Sequence, residues 1–261
     1  MSTSLELQHT VGKTASLSGT SLHTGEKVSL RLHPATVDHG IKFKRKDLPD
    51  EPTIDARIDN LKMVERATTI GEGSVRVHTV EHVLAALSAM DVDNAIVEMD
   101  ANEPPIGDGS AQPYVDLIKK AGVIAQEEPR KVFHVREPMH VESKTGTLLV
   151  LLPCETFRIS CTQAGPNNRF AQFLSMEITP ATFEREIAPA RTFVYYEDVR
   201  PLMEKNLIKG GSLENAIVVR GEAVLSKEPL RFTDEFVRHK ILDIVGDLAS
   251  HIGEGGTNIR G

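Results

Sequence analysis

The sequence has no surplus of positive charge: 30 Lys and Arg stand against 37 Asp and Glu, a formal net charge of −7 at pH 7. Nothing electrostatic therefore draws the chain to nucleic acid or to an anionic membrane surface, and any contact with lipid must be apolar and local. Cysteine is scarce, with only Cys154 and Cys161, which excludes a disulfide-stapled secreted scaffold. No basic segment followed by an apolar one comes after Met1, so the cytoplasm is the expected location. The longest aliphatic run, Leu148 to Leu152, is five residues, whereas a membrane span needs roughly 20. Stable membrane insertion is not expected, and the run reads as a buried strand. Low-complexity tracts are lacking too, and 40% hydrophobic with 26% charged residues excludes disorder and collagen.

What is present is α+β patterning. Short β-branched or apolar stretches at 27–32, 40–44 and 94–99 alternate with turn residues. A helix is predicted over 80–90, with Thr79 as N-cap and Val83, Leu84, Leu87 and Met90 on its apolar face. A second runs from Pro113 to Ala121, closed by Gly122. The polar stretch Ala125 to Lys131 has the composition of a linker, which divides the 261 residues into 1–127 and 128–261. Beyond it come strands near 131–135, 147–152 and 216–219 and helices near 182–187 and 234–249. Asn94-Ala-Ile-Val97 returns as Asn215-Ala-Ile-Val218, an echo compatible with duplication.

Chemistry concentrates on the segment Thr233 to Asp247. At 3.6 residues per turn His239, Asp243 and Asp247 form one polar stripe on a helix that is otherwise largely apolar. An imidazole and a carboxylate one turn apart can share a metal ion. Taken alone the pair reads more readily as a helix ion pair or a solvated face. A catalytic zinc commonly takes three protein ligands, and His82 is the best third. It sits in a first helical turn, where the helix dipole favours neutral imidazole. Its neighbour Glu81 can serve as general base toward water at the metal. Two histidines and one carboxylate also suit iron(II), although no cosubstrate site accompanies them.

Taken together, Gly19-Thr-Ser-Leu-His-Thr-Gly25, Thr79-Val-Glu-His82, Pro105-Ile-Gly-Asp-Gly-Ser-Ala111, Ala190-Arg-Thr-Phe193, Gly210-Gly-Ser212 and Phe232 to Asp247 resemble, in order, the motifs of the UDP-3-O-acyl-N-acetylglucosamine deacetylases, zinc amidases of lipid A biosynthesis. The resemblance covers nearly the whole chain. It implies two duplicated two-layer α/β sandwich domains with the active site between them. By motif, His82, His239 and Asp243 match the ligands of Zn2+, and Glu81 matches the general base. Thr192 matches an oxyanion stabiliser, Lys240 a cation beside the substrate carbonyl, and Phe193 and Gly211 substrate contacts. The implied reaction is hydrolysis of the N-acetyl group of UDP-3-O-(3-hydroxyacyl)-N-acetylglucosamine. An apolar acyl channel is expected over 194–224, with Leu202, Met203, Leu207 and Ile208.

The chain departs from the family pattern at two places. The family carries a Lys-Ser-Gly-His segment after the long helix, its histidine acting as general acid and oriented by the residue matching Asp247. Here the sequence stops at Gly261. A C-terminally truncated homologue is therefore expected, with metal binding retained and turnover weak or absent unless His251 substitutes. Some relatives are fused to an acyl-chain dehydratase domain. The second departure is Thr162-Gln-Ala-Gly-Pro166, where the family more often has an aromatic, an Asn and a His that contact uridine.

Overall fold

A computed structural model describes residues 6–64, 67–204, 208–250 and 258–259. Five strands in the spatial order Ala15–Thr20, Lys27–Pro34, Ala95–Met99, Ile41–Arg45 and Thr53–Asp55 form the largest sheet. Its apolar residues alternate as a sheet with one covered face requires: Leu30 and Leu32 pair with Met99 and Val97, and Phe43 lies beside Val97. All five are buried.

Helix α1 (Glu81–Ala89) has the sequence of an interior helix, since eight of its nine residues are buried and Ser88 alone is not. Helix α2 (Gln112–Ala121) begins with a proline in its first turn and ends on Gly122, whose φ of 72° is open to glycine. Lys119 and Lys120 lie in its last turn, where the carbonyl ends of the dipole favour them.

The second half opens with less regular structure. Thr179 caps the short helix α3 (Pro180–Thr182) through a reciprocal capping box with Thr182. Phe183–Ile187 then forms a π-helical turn in place of the regular helix expected there. Helix α4 (Tyr196–Glu204) carries Pro201 inside it. Helix α5 (Glu235–Ser250) packs against α1 and against the hairpin of Arg158–Gln163 and Gln172–Glu177. Buried residues of both halves, from Leu30, Phe43 and Leu84 to Phe183, Ile241 and Val245, join in one apolar cluster.

Two further elements differ from expectation. The polar stretch expected as a linker is mostly strand: Val123–Pro129 pairs antiparallel with Leu7–Val11. Backbone pairing asks nothing of the side chains, and six of these seven are exposed. The run Leu148–Leu151 is a strand but not a buried one. It pairs with Met139–Glu142, and Leu148 and Val150 remain 60% and 45% exposed.

The repeated Asn-Ala-Ile-Val tetrapeptide has matching surroundings. Ala95–Met99 and Ile217–Arg220 each lie between one parallel and one antiparallel neighbour. No helix among the described residues is long and apolar enough to cross a membrane.

Candidate active site

Helices α1 and α5 bring His82, His239 and Asp243 together. Their donor atoms all lie within 4.8 Å of one another. Asp243 Oδ1 is 3.4 Å from His239 Nε2 and 3.9 Å from His82 Nε2. Ligands of one tetrahedral zinc, each at about 2.0–2.1 Å, sit roughly 3.3 Å apart. The His82 and His239 rings meet edge to face, centroids 5.0 Å apart.

The protonation pattern suits a metal. His239 Nδ1 is 3.0 Å from the Ala190 carbonyl oxygen. A carbonyl only accepts, so that nitrogen carries the proton and Nε2 keeps its lone pair for a ligand bond. Burial pushes the pKa of His82 down to about 3, with nearby His239 acting in the same direction. Burial lowers His239 as well. Both rings are therefore neutral at pH 7. Burial works against the charge of Asp243, yet its pKa lies below the ordinary carboxylate range, and with both rings neutral it is the Lys240 ammonium, donating to Oδ2, that sustains the charge at pH 7.

Glu81 is 7% exposed and its Oε2 accepts from the Thr68 backbone N–H at 3.0 Å. Burial first, then the Asp243 charge, push its pKa up to about 8. Lys240 donates to Asp243 Oδ2 at 2.9 Å, and Asp243 raises its pKa. Its ammonium lies 5.5 Å from the centre of the Phe193 ring, which places Phe193 beside the cluster. Asp247 accepts from the Thr68 hydroxyl at 2.6 Å, so Thr68 ties Glu81 to the end of the polar stripe.

Thr192 is placed by its backbone, its N–H donating to Gly109 O at 2.8 Å and its carbonyl accepting from Ile217. Gly211 packs against Ile208 in a loop whose Lys209 and Gly210 donate to His23 and Leu22. Of the expected channel residues, Leu202 is half-buried, Met203 is 61% exposed and Ile208 is half-buried. Leu207 and His251 fall outside the described residues.

One expectation is corrected. Thr79 does not cap α1: Val80 occupies the N-cap position with no side-chain cap, and the Thr79 hydroxyl donates to Glu103. The Thr79 backbone is left-handed, with φ 56°, and lacks the extended conformation from which a cap side chain accepts from the helix N–H groups.

The sequence reading missed the residues that hold this site. Thr68 and Glu103 act from other elements, where no local pattern marks them, and Glu235 acts from the first turn of α5 itself. Glu235 is fully buried and accepts from Arg191 N, Nε and Nη2 and from Arg231 N. The pair fixes the segment carrying the Ala190 carbonyl and Thr192. Glu235→Gln is expected to lower stability by about 1.5–3 kcal/mol, the worth of hydrogen bonds to a charged group. Urea unfolding checks it: the midpoint should fall at constant m, and an unchanged midpoint would refute the role.

A family model described as UDP-3-O-acyl N-acetylglycosamine deacetylase, LpxC, matches residues 8–254. The curated UDP-3-O-acyl-N-acetylglucosamine deacetylase of Myxococcus xanthus (strain DK1622) is 45% identical over 243 residues, covering 93% of this chain and 77% of the relative. That of Methylococcus capsulatus (strain ATCC 33009 / NCIMB 11132 / Bath) is 43% identical over 244 residues, 92% of this chain and 80% of the relative. The "Bifunctional enzyme LpxC/FabZ" of Porphyromonas gingivalis (strain ATCC BAA-308 / W83) is 39% identical over 271 residues, and the match spans 94% of this chain and 58% of that protein.

Proposed function

The chain belongs to the UDP-3-O-acyl-N-acetylglucosamine deacetylase family, and from that membership and the site geometry we propose that it is a zinc-dependent amide hydrolase. Its substrate is UDP-3-O-(3-hydroxyacyl)-N-acetylglucosamine, and its products are acetate and the free amine. The observation that carries the reading is the convergence of His82, His239 and Asp243 beside the buried Glu81. When bound, zinc supplies Lewis acidity, polarising the amide carbonyl and lowering the pKa of water. Glu81, aimed by the Thr68 N–H, takes the proton of the attacking water in its ionised form, which the positive charge of a bound zinc would favour against the burial that raises its pKa. Lys240 sets positive charge where the carbonyl oxygen becomes anionic, and Thr192 is assigned a hydrogen bond to the same atom. Phe193 and Gly211 are assigned to contact the sugar nucleotide, and Asp247 to orient a general acid, for which His251 is the candidate within the 261 residues.

The same reading includes two duplicated α/β sandwich domains divided near 127, and the matched surroundings of the two Asn-Ala-Ile-Val strands support it. It also includes a cytoplasmic location, with which the two free cysteines agree.

Equilibrium zinc titration tests the site. One equivalent is expected to bind, and binding should be lost in His82→Ala, His239→Ala and Asp243→Ala. Zinc affinity unchanged in all three variants would overturn the assignment. Acetate release by the zinc-loaded chain then separates a catalyst from a homologue that binds metal and UDP-lipid without turnover. Because zinc binds only the folded site, stability should rise by about 1.4 kcal/mol for each tenfold of free zinc above Kd. Chelator titration followed by thermal unfolding reads this, and a zinc-independent melting temperature would contradict it.

A further inference from the structure

The turn that launches α1 is strained. Thr79 has a φ of 56°, a left-handed conformation that a β-branched residue takes only when its surroundings hold it there. It stands two residues before Glu81 and three before His82. The neighbouring hydrogen bonds clamp the turn on both sides: His78 N–H donates to Asn102 O at 2.9 Å and Val80 N–H to Thr68 O at 3.2 Å.

At the centre is a carboxylate with no part in the reaction. Glu103 is fully buried. Its Oε1 accepts from the Thr79 hydroxyl at 2.7 Å and lies 2.7 Å from His23 Nδ1, and its Oε2 accepts from the His23 backbone N–H at 2.9 Å. Burial disfavours its charge, yet the bonds from His23 and Thr79 keep it below the ordinary carboxylate range. An ionised buried carboxylate persists only where its oxygens are satisfied, and here one group joins three loops. The Thr79 hydroxyl donates to Glu103, and α1 has no side-chain cap.

We propose that Glu103 is a positioning residue: by binding the Thr79 hydroxyl and His23 it holds the left-handed turn that aims Glu81 and His82 at Asp243 and His239. The inference rests on the reading of His82 as a metal ligand. Outer partners that orient metal ligands commonly change metal affinity by about ten- to a hundredfold when removed, and Glu103 acts one step further out, through the backbone of the turn.

The test is the zinc affinity of the 261-residue chain, measured by competition with a chromophoric chelator, with circular dichroism establishing the folded state of each variant. Glu103→Gln and the isosteric Thr79→Val are each expected to weaken zinc about tenfold. The deciding variant is Glu103→Gln combined with Thr79→Gly. Glycine takes a positive φ without strain, so the turn no longer needs the carboxylate, and zinc affinity should return to within about threefold of the parent. A role in general stability would not be repaired by this substitution. His82→Ala serves as the reference. If it binds zinc like the parent, the ligand assignment fails; if it loses zinc while folded Glu103→Gln does not, the positioning role alone fails. Absence of rescue by glycine, with Glu103→Gln impaired, also overturns it.

Discussion

Glu81→Gln is expected to reduce the deacetylation rate by about 10²–10⁴, the contribution of a positioned general base, with zinc affinity changed by less than about twofold. The amide keeps the shape of the carboxylate and can still accept the Thr68 N–H through its oxygen. It cannot take a proton. The geometry also separates this residue from the ligands: Glu81 precedes His82 in the first turn of α1, yet only His82 joins His239 and Asp243 in the donor cluster. The loss should therefore fall in kcat, with KM and zinc stoichiometry retained. Single-turnover acetate release on a form of the protein that turns over the substrate is the measurement. Full activity in Glu81→Gln would remove Glu81 from the chemistry, and loss of zinc would recast it as a ligand.

Part of the His82, His239 and Asp243 cluster was legible in the sequence because its spacing is local. His239 and Asp243 sit four residues apart on a helix whose apolar pattern is plain, and α5 carries both. His82 and Glu81 were legible as the polar pair opening an apolar helix. That the two helices meet is a long-range fact, and only the family motifs suggested it. The sequence misleads where a distant partner decides the outcome. Thr79 looks like a helix cap, but its left-handed backbone leaves Val80 at the cap position and its hydroxyl donates to Glu103, 24 residues on. Leu148 to Leu152 looks buried because hydrophobicity reports a preference and not what covers the strand. The stretch 125–131 looks like a linker because polar side chains conceal a strand held by backbone pairing to Leu7–Val11. Thr68 carries no local mark, although its N–H and hydroxyl touch both Glu81 and Asp247.

Gly246 does carry a mark, since glycine inside a helix costs roughly 1 kcal/mol relative to alanine and needs a reason. The reason is Glu81. A Cβ at Gly246 would overlap the Glu81 carbonyl oxygen and lie 2.8 Å from its carbonyl carbon and 3.0 Å from its Cα. These are backbone atoms that no rotamer change can move aside. Helices α1 and α5, which carry His82, His239 and Asp243 between them, therefore approach closely because this position lacks a side chain. Two physical effects predict opposite signs for Gly246→Ala. Helix propensity alone would stabilise the chain by about 1 kcal/mol. Overpacking against backbone typically costs about 1–3 kcal/mol, and a shift of about 1 Å between catalytic groups can cost 10²-fold in rate. Contact with backbone decides between them. Gly246→Ala is expected to lower the melting temperature and to weaken zinc at least tenfold, because moving α1 outward carries His82 away from Asp243. Thermal unfolding and zinc competition on the same preparation read both effects. A more stable variant with unchanged zinc affinity would show that α1 and α5 have room between them and that their spacing does not set the site.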